Sequence, residues 1–255
     1  MAGVFSPPPE RNTSGNATDW PWQPLADCGA GNPFFYHSFY DDMDTGASIT
    51  GAYTKTLTGA GTIAATPGDG GLALFTTAAV AGTDLCSIQL PAAGFTLTKG
   101  KKLFFETRFQ VSSAINVAFN VGLIQTTVTP FTVVDGIWFG KASGGTVLTI
   151  NHSIASVVTT ATIPAAAYTL ADATFIELGF YMDRNGDILA FVDTQLVGYI
   201  PQSGSGAVQP NAGVVSRISP AALATVNLNP TIALASGVTA ARTMTLDFVS
   251  VQKER

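Results

Sequence analysis

The stretch FIELGFYMDRNGDILAFVDTQLVGYI, residues 175–200, decides the fold. Two runs rich in apolar residues, Phe175 to Asp183 and Ile188 to Asp193, flank the pair Asn185-Gly186. Asn-Gly is the preferred pair of a two-residue hairpin turn because both residues tolerate positive φ. The chain then turns again and continues into a third apolar run, LVGYI. We therefore predict three consecutive antiparallel strands in this stretch.

Further strands are predicted on both sides of this stretch. In KLFFETRFQV, residues 102–111, apolar residues and one threonine alternate with Glu, Arg and Gln, which is the period-two pattern of a strand with one buried face. INVAFNVGLIQ (115–125), GIWFGK (136–141) and MTLDFVSVQ (244–252) are also predicted strands, and residues 72–80 and 84–90 are predicted to be neighbouring ones. No convincing helix lies between them, which excludes a βαβ architecture. The sequence predicts an all-β, antiparallel two-sheet jelly-roll sandwich.

Residues 1–33 differ from this body, which we expect to span residues 34–255. They contain six prolines, including the run Pro7-Pro8-Pro9 that favours an extended polyproline II conformation. Two interpretations are open, a disordered tail and an extended arm that lies on a neighbouring subunit. We favour the arm because tryptophan is enriched among interface hot spots. Its predicted anchors are Phe5, Trp20 and Trp22.

The charge composition restricts the classes of partner. Only 11% of the residues are charged and the net charge is −5, whereas soluble domains have roughly 25% charged residues. This balance argues against nucleic acid as a partner, since phosphate binding needs clustered Lys and Arg. A charge-poor surface is typical of an assembly protein, although a mildly acidic soluble protein is an alternative. We expect no membrane segment and no signal peptide, and hence synthesis in a cytoplasm, where a Cys28–Cys86 disulfide is not expected.

The strand pattern resembles a known family. The segment ILAFVDTQLVG, together with KLFFETRFQV, NVAFNVGLIQ and MTLDFVSVQ, resembles the paired strands of concanavalin-like and laminin-G domains. The low charge, the arm and the closing LDFVSV segment resemble the head decoration (cement) proteins of tailed phages. That second resemblance implies an oligomer, often a homotrimer, that binds the outer capsid surface and stabilises the shell.

A search for reactive groups finds no catalytic constellation. Glycosidases of this fold carry a Glu-x-Asp-x-x-Glu arrangement, whereas Glu106 and Glu177 each stand alone on their strands. We therefore predict that the chain is not an enzyme and has no cofactor. Asp183, Asn185 and Asp187 have the spacing of the start of a calcium loop, but a strand follows at once. A hairpin turn is the preferred interpretation of these three residues, with a weak calcium site as the alternative.

Two functions follow as expectations. The first is a non-enzymatic virion protein, a capsid decoration protein made in the host cytoplasm, with the major capsid protein and copies of itself as partners. The alternative is a glycan-binding, lectin-like module of a tail fibre or receptor-binding protein. Trp138 and Tyr181 are the candidate sugar platforms for the alternative, although a Trp inside a strand is more often a core residue.

Overall fold

The computed structural model describes residues 34–37, 53–68, 71–79, 84–92, 94–184, 186–193, 195–200 and 223–254. Sixteen strands in these residues form two antiparallel sheets. Sheet A has the spatial order β14 (Gln195–Ile200), β13 (Ile188–Val192), β12 (Ile176–Met182), β7 (Leu103–Val111), β16 (Thr243–Lys253), β4 (Leu72–Thr76) and β3 (Thr62–Thr66), and β1 (Phe34–His37) also pairs with β16.

Sheet B has the order β11 (Val157–Thr162), β10 (Thr149–Ile154), β9 (Gly136–Lys141), β8 (Val117–Gln125), β15 (Asn227–Ser236), β5 (Leu85–Gln89) and β2 (Thr54–Leu57), and β6 (Phe95–Thr96) pairs with β15. The predicted two-sheet antiparallel jelly-roll sandwich is therefore confirmed. The described residues form no helix, so no helix among them could cross a membrane.

Alternating side chains of both sheets fill the space between the layers. On β7 the predicted inward face is fully buried, and Glu106, Arg108 and Gln110 on the other face are partly exposed. Aromatic rings join the sheets: Phe109 of β7 meets Phe119 of β8 edge to face, with ring centroids 5.1 Å apart. Such contacts between layers stabilise the sandwich beyond the area that they bury.

The predicted hairpin around Asn185-Gly186 forms, with a longer turn than expected. Asp183 donates its backbone N–H to the carbonyl of Asp187 at 2.9 Å, so three residues lie between the closing pair. Gly186 adopts a φ of 90°, which a three-residue hairpin loop requires at this position. The Asp183 carboxylate accepts the N–H of Asp187 at 2.9 Å and so stabilises the turn.

Three features of the sheets differ from the sequence-based expectation. β4 and β5, predicted to be neighbours, lie in different sheets. The central strand β15 contains Pro230, which lies where the neighbour of β15 changes from β6 to β5. Proline has no backbone N–H, and at such a change of neighbours the missing donor costs little. The hairpin of β10 and β11 turns through Ala155 and Ser156, which have φ values of 48° and 68°. Asn and Gly are the residues that usually adopt this conformation in a hairpin turn.

One buried histidine lies at the end of sheet B. His152 of β10 faces inward opposite Ile137 and Thr159, and its Nε2 has no hydrogen-bond partner. Burial lowers the pKa of His152 to about 4, although the nearby Asp135 carboxylate acts in the opposite direction. The imidazole is therefore neutral at pH 7.

This histidine should weaken the fold in acid. The unfolded chain binds the proton near pH 6.5 and the folded chain only near pH 4, so the free energy of unfolding falls as the pH drops between these values. Over this range we expect the free energy of unfolding of the wild type to fall by about 3 kcal/mol more than that of His152→Leu. Denaturant unfolding at each pH measures the two changes. Equal losses in the two proteins would contradict the assignment.

Candidate functional site

The outer face of sheet B is partly covered by residues 126–135, the connection between β8 and β9, called here the 126–135 loop. Buried polar side chains of the sheet hold its backbone. Asn120 of β8 donates from Nδ2 to the carbonyl of Pro130 at 2.9 Å. Ser153 of β10 donates from Oγ to the carbonyl of Val134 at 2.7 Å. Both side chains are buried, so the loop lies directly on the sheet.

Two more buried side chains hold the start of the loop. Gln89 of β5 accepts the N–H of Thr127 at 3.0 Å, and its Nε2 donates to Oγ1 of Thr231 at 2.7 Å. Asn229 of β15 donates from Nδ2 to Oγ1 of Thr126 at 2.8 Å. Burying such groups is costly unless they are bonded. The amide side chains of β5, β8 and β15 therefore fix where the loop lies.

Trp138, a candidate sugar platform, lies beneath this loop. Its side chain points to the outer face of sheet B and packs with Ile124 and Val133, leaving it 6% exposed. Gly122 of the neighbouring strand makes room, since a Cβ there would lie 2.5 Å from the Trp138 Cα. Trp138 is thus an anchor for the loop and offers no ring to a ligand. Tyr181, the other candidate, lies on β12 of sheet A.

A groove lies on the outer face of sheet B, beside the part of the sheet that the 126–135 loop covers. Its floor is a row of three register partners on adjacent strands, Leu85 of β5, Ala235 of β15 and Ala118 of β8. These side chains are small or apolar and half-buried. The groove has a volume of about 570 Å³, within the range of roughly 300–1,000 Å³ that is usual for ligand pockets.

The walls of the groove combine apolar and hydroxyl side chains. The 126–135 loop contributes Phe131, which is 39% exposed, together with Val128. The remaining wall residues are Thr58, Asp84, Thr129, Thr132, Ser143, Ser236 and Gly237. The exposed aromatic ring is therefore on the loop, and hydroxyl groups surround it.

Asp84 is the one carboxylate among the described residues of the groove, and its position is fixed. Thr58 and Leu85 exchange two hydrogen bonds, from Thr58 N–H to the Leu85 carbonyl at 2.9 Å and from Leu85 N–H to Thr58 Oγ1 at 2.8 Å. Gly59 has a φ of 71°, and a Cβ on it would lie 1.9 Å from Asp84 Oδ1. Only glycine fits there without strain, and Asp84, which is 3% exposed, is buried against the backbone at Gly59.

This arrangement can bind a molecule that has both apolar and hydroxyl faces. An aromatic ring above an apolar floor attracts C–H groups through dispersion and burial. Threonine and serine hydroxyls both donate and accept hydrogen bonds, so they can bind the hydroxyl groups of such a molecule. Sequence reasoning missed the groove because its floor joins strands that are distant in the chain, although the Phe in TTVTPFTVVD was a visible signal.

The other predicted sites are not brought together with this groove. The arm anchors Phe5, Trp20 and Trp22, as well as Asn185 and Cys28, lie outside the described residues. Asp183 and Asp187 form the turn between β12 and β13. No group of three or more His, Cys, Asp or Glu side chains in the described ranges could hold a metal ion.

Two further side chains have roles within the sandwich. Cys86 is a buried free thiol that donates to the Thr76 carbonyl, and burial raises its pKa to about 11. Arg108 forms an ion pair with Asp247, and its guanidinium carbon lies 4.4 Å from the ring centroid of Phe175.

The loop position can be tested at Asn120. We expect Asn120→Ala to lower the free energy of unfolding by about 1–3 kcal/mol, since the Pro130 carbonyl loses a buried donor. Amide exchange within the 126–135 loop should become faster, while exchange in β12 stays unchanged. Asn116→Ala, a half-buried asparagine between β7 and β8, is the matched control. Unchanged exchange in the loop would contradict the role of Asn120.

No protein-family model and no curated protein matches the chain. Solved structures do. An endo-1,3-β-glucanase from Streptomyces sioyaensis has a TM-score of 0.57 at 14% identity, over 88% of this chain and 97% of that one. A lichenase, or β-1,3-1,4-glucanase, derived from a mouse hindgut metagenome has a TM-score of 0.51 at 12% identity, over 86% and 98%. The carbohydrate recognition domain of Emp47p has a TM-score of 0.51 at 9% identity, over 83% and 92%.

These likenesses show the fold, a concanavalin-like jelly roll of the glucanase and lectin type. They also overturn one prediction. The conclusion that the chain is not an enzyme was drawn from absent sequence motifs, and it is wrong as an exclusion, because the fold found is shared with two glucan hydrolases. At these identities no catalytic residue can be transferred from them.

Proposed function

We propose that the chain binds a glycan in the groove on the outer face of sheet B. The observation that carries this proposal is Phe131, a ring 39% exposed on the 126–135 loop, in a groove that threonine and serine hydroxyl groups also line. The floor of the same groove is apolar, formed by Leu85, Ala118 and Ala235. Asp84 belongs to the lining but is only 3% exposed.

The chemistry of a pyranose matches these walls. A sugar ring has C–H faces that pack on an aromatic side chain and an apolar floor. Its hydroxyl groups can exchange hydrogen bonds with Thr58, Thr129 and Thr132, which line the groove. A groove that is open along the sheet also admits a chain of sugars rather than a single one, so we infer a polysaccharide segment as the ligand.

The comparisons support this class of ligand and suggest the probes. By their names, two of the similar structures act on β-1,3- and β-1,3-1,4-glucans and a third is a carbohydrate recognition domain. Soluble β-1,3-glucan and mixed-linkage β-glucan are therefore the first ligands to test. Retaining hydrolysis requires two carboxylates about 5 Å apart, and Asp84 is the one that the described groove supplies.

Binding should depend on the exposed ring of the loop. We expect Phe131→Ala to weaken glucan binding about tenfold, which corresponds to about 1.4 kcal/mol, measured by isothermal titration calorimetry. Ile115→Ala removes a similarly exposed apolar side chain that does not line the groove, and it should bind like the wild type. Equal affinities for all three proteins would contradict the assignment of the groove.

The same samples report on hydrolysis. Release of new reducing ends from either glucan would assign hydrolysis to the chain in addition to binding. Saturable binding with intact glucan would limit the groove to recognition. Both readouts are needed, because the fold houses glucan hydrolases and a carbohydrate recognition domain alike.

The setting on a virus particle, with the major capsid protein as partner, remains a proposal. It is supported by the low proportion of charged residues, 11%, and by the Pro-rich start of the chain, features of an assembly protein. We expect the full chain to co-sediment with undecorated tailed-phage capsids and to raise their melting temperature. A chain that stays in the supernatant would contradict the virion role and leave glycan binding intact.

A further inference from the structure

The outer edge of β11 has the properties of a strand that pairs with another chain. β11 is the terminal strand of sheet B, and in the described residues no strand pairs with its outer side, although β14, the terminal strand of sheet A, lies close to it. Residues 154–163, IASVVTTATI, contain no charged residue. Natural sheets usually protect such an edge with charge, proline or a covering segment. The opposite edge, β2, does carry Lys55.

Exposed valines flank this edge. Val157 and Val158 are 72% and 50% exposed. Val134 of the 126–135 loop is also exposed and lies beside them, since its carbonyl accepts the N–H of Ser156 at 2.9 Å. Val134 and Val158 are called here the valine patch, whereas Val157, the preceding residue of the strand, points to the opposite face. Exposed β-branched residues on an uncharged edge favour pairing with a further strand.

The register shows which backbone groups are available. Val157, Thr159 and Ala161 pair with β10 through the narrow positions of the ladder, because Ile154 and Val157 close a two-residue hairpin. The N–H and C=O groups of the alternate residues point away from β10; these are Val158, Thr160 and Thr162. The side chains of the same three residues lie on the outer face, where Ser153 and Asn151 are their partners.

We propose that two copies of this chain associate by antiparallel pairing of β11 with β11. A two-fold axis at Thr160 would place Val158 of each copy opposite Thr162 of the other. Three N–H and three C=O groups on each copy would then form six backbone hydrogen bonds. The uncharged edge lets two chains of net charge −5 meet without like charges in contact.

The size of this contact sets the expected strength. A six-residue strand is about 20 Å long, so the edge and the valine patch bury less than the roughly 800 Å² per partner of a stable complex. We therefore expect a weak dimer that forms in the micromolar range. An isologous edge contact closes on itself, so it gives a dimer and not the homotrimer expected from the sequence.

The pairing would also extend the proposed function, glycan binding, and this part of the inference rests on that function. An axis perpendicular to the sheet keeps both grooves on one face of a continuous sheet. Each groove is centred near β15, four strands from β11, so the two lie about 40 Å apart along the sheet. A polysaccharide could then bind both copies, which increases avidity without any new contact.

Sedimentation velocity of the full chain across the micromolar range tests the dimer. We expect the wild type to shift from monomer to dimer, and Val158→Lys and Thr160→Pro to remain monomeric. Leu57→Lys places the same charge on an exposed residue of the opposite edge, β2, and should behave as the wild type. A monomer at all concentrations, a trimer, or equal association of all variants would overturn the proposal.

Two further readouts separate the possible failures. The amides of Val158 and Thr160 in the wild type should exchange more slowly as the concentration rises, and this measurement needs no variant. Val158→Lys should bind a short oligosaccharide with the wild-type affinity but a long glucan several-fold more weakly. If the dimer forms and no glucan binds, the proposed function fails while the edge pairing stands.

Discussion

The architecture of the site depends on one interaction, the bonding of the 126–135 loop to the sheet by buried amide and hydroxyl side chains. Asn120, Gln89 and Asn229 lie on three adjacent strands and bond three successive parts of the loop. Leaving a buried donor of this kind unbonded costs about 1–3 kcal/mol, so these bonds favour this position of the loop and, with it, of the exposed Phe131 ring. Asn229 satisfies only its amide nitrogen in this way, since its Oδ1 has no hydrogen-bond partner. A flat sheet face becomes a groove because this loop covers one part of it and leaves the row of Leu85, Ala118 and Ala235 open.

The same loop joins the groove to the edge of the sheet. Its last residues support the β10–β11 hairpin, since the Asp135 carboxylate accepts the N–H of Ala155 at 3.1 Å and the Val134 carbonyl accepts that of Ser156. These bonds stabilise the left-handed conformation of two residues that do not favour it. One segment thus positions an aromatic wall at one end and an uncharged edge strand at the other. Both proposals, glycan binding and edge pairing, therefore depend on this one segment.

The sequence predicted the fold because its strands obey local rules. The alternation in β7 and the Asn-Gly pair between β12 and β13 are signals contained in a few residues. β11 was missed because its hairpin turns through Ala155 and Ser156, which carry no turn signal and depend on the distant loop. β15 was missed because Pro230 argues against a central strand unless the change of neighbours is known. Trp138 could not be assigned from the sequence, since period two identifies two faces but not the loop that covers one of them. The groove is harder still to predict from the sequence, because its floor combines residues of β5, β8 and β15 that lie more than a hundred residues apart in the chain.

The central claim is that a glycan occupies the groove beside Phe131 on the outer face of sheet B. The most direct measurement is the change in backbone amide chemical shifts on addition of a β-glucan oligosaccharide to the full-length protein. The account predicts that the largest changes lie at Ala118, Ala235 and the 126–135 loop, with β12 and β13 of sheet A unaffected. Changes centred on the outer face of sheet A would contradict it, as would a spectrum that remains unchanged at saturating glucan.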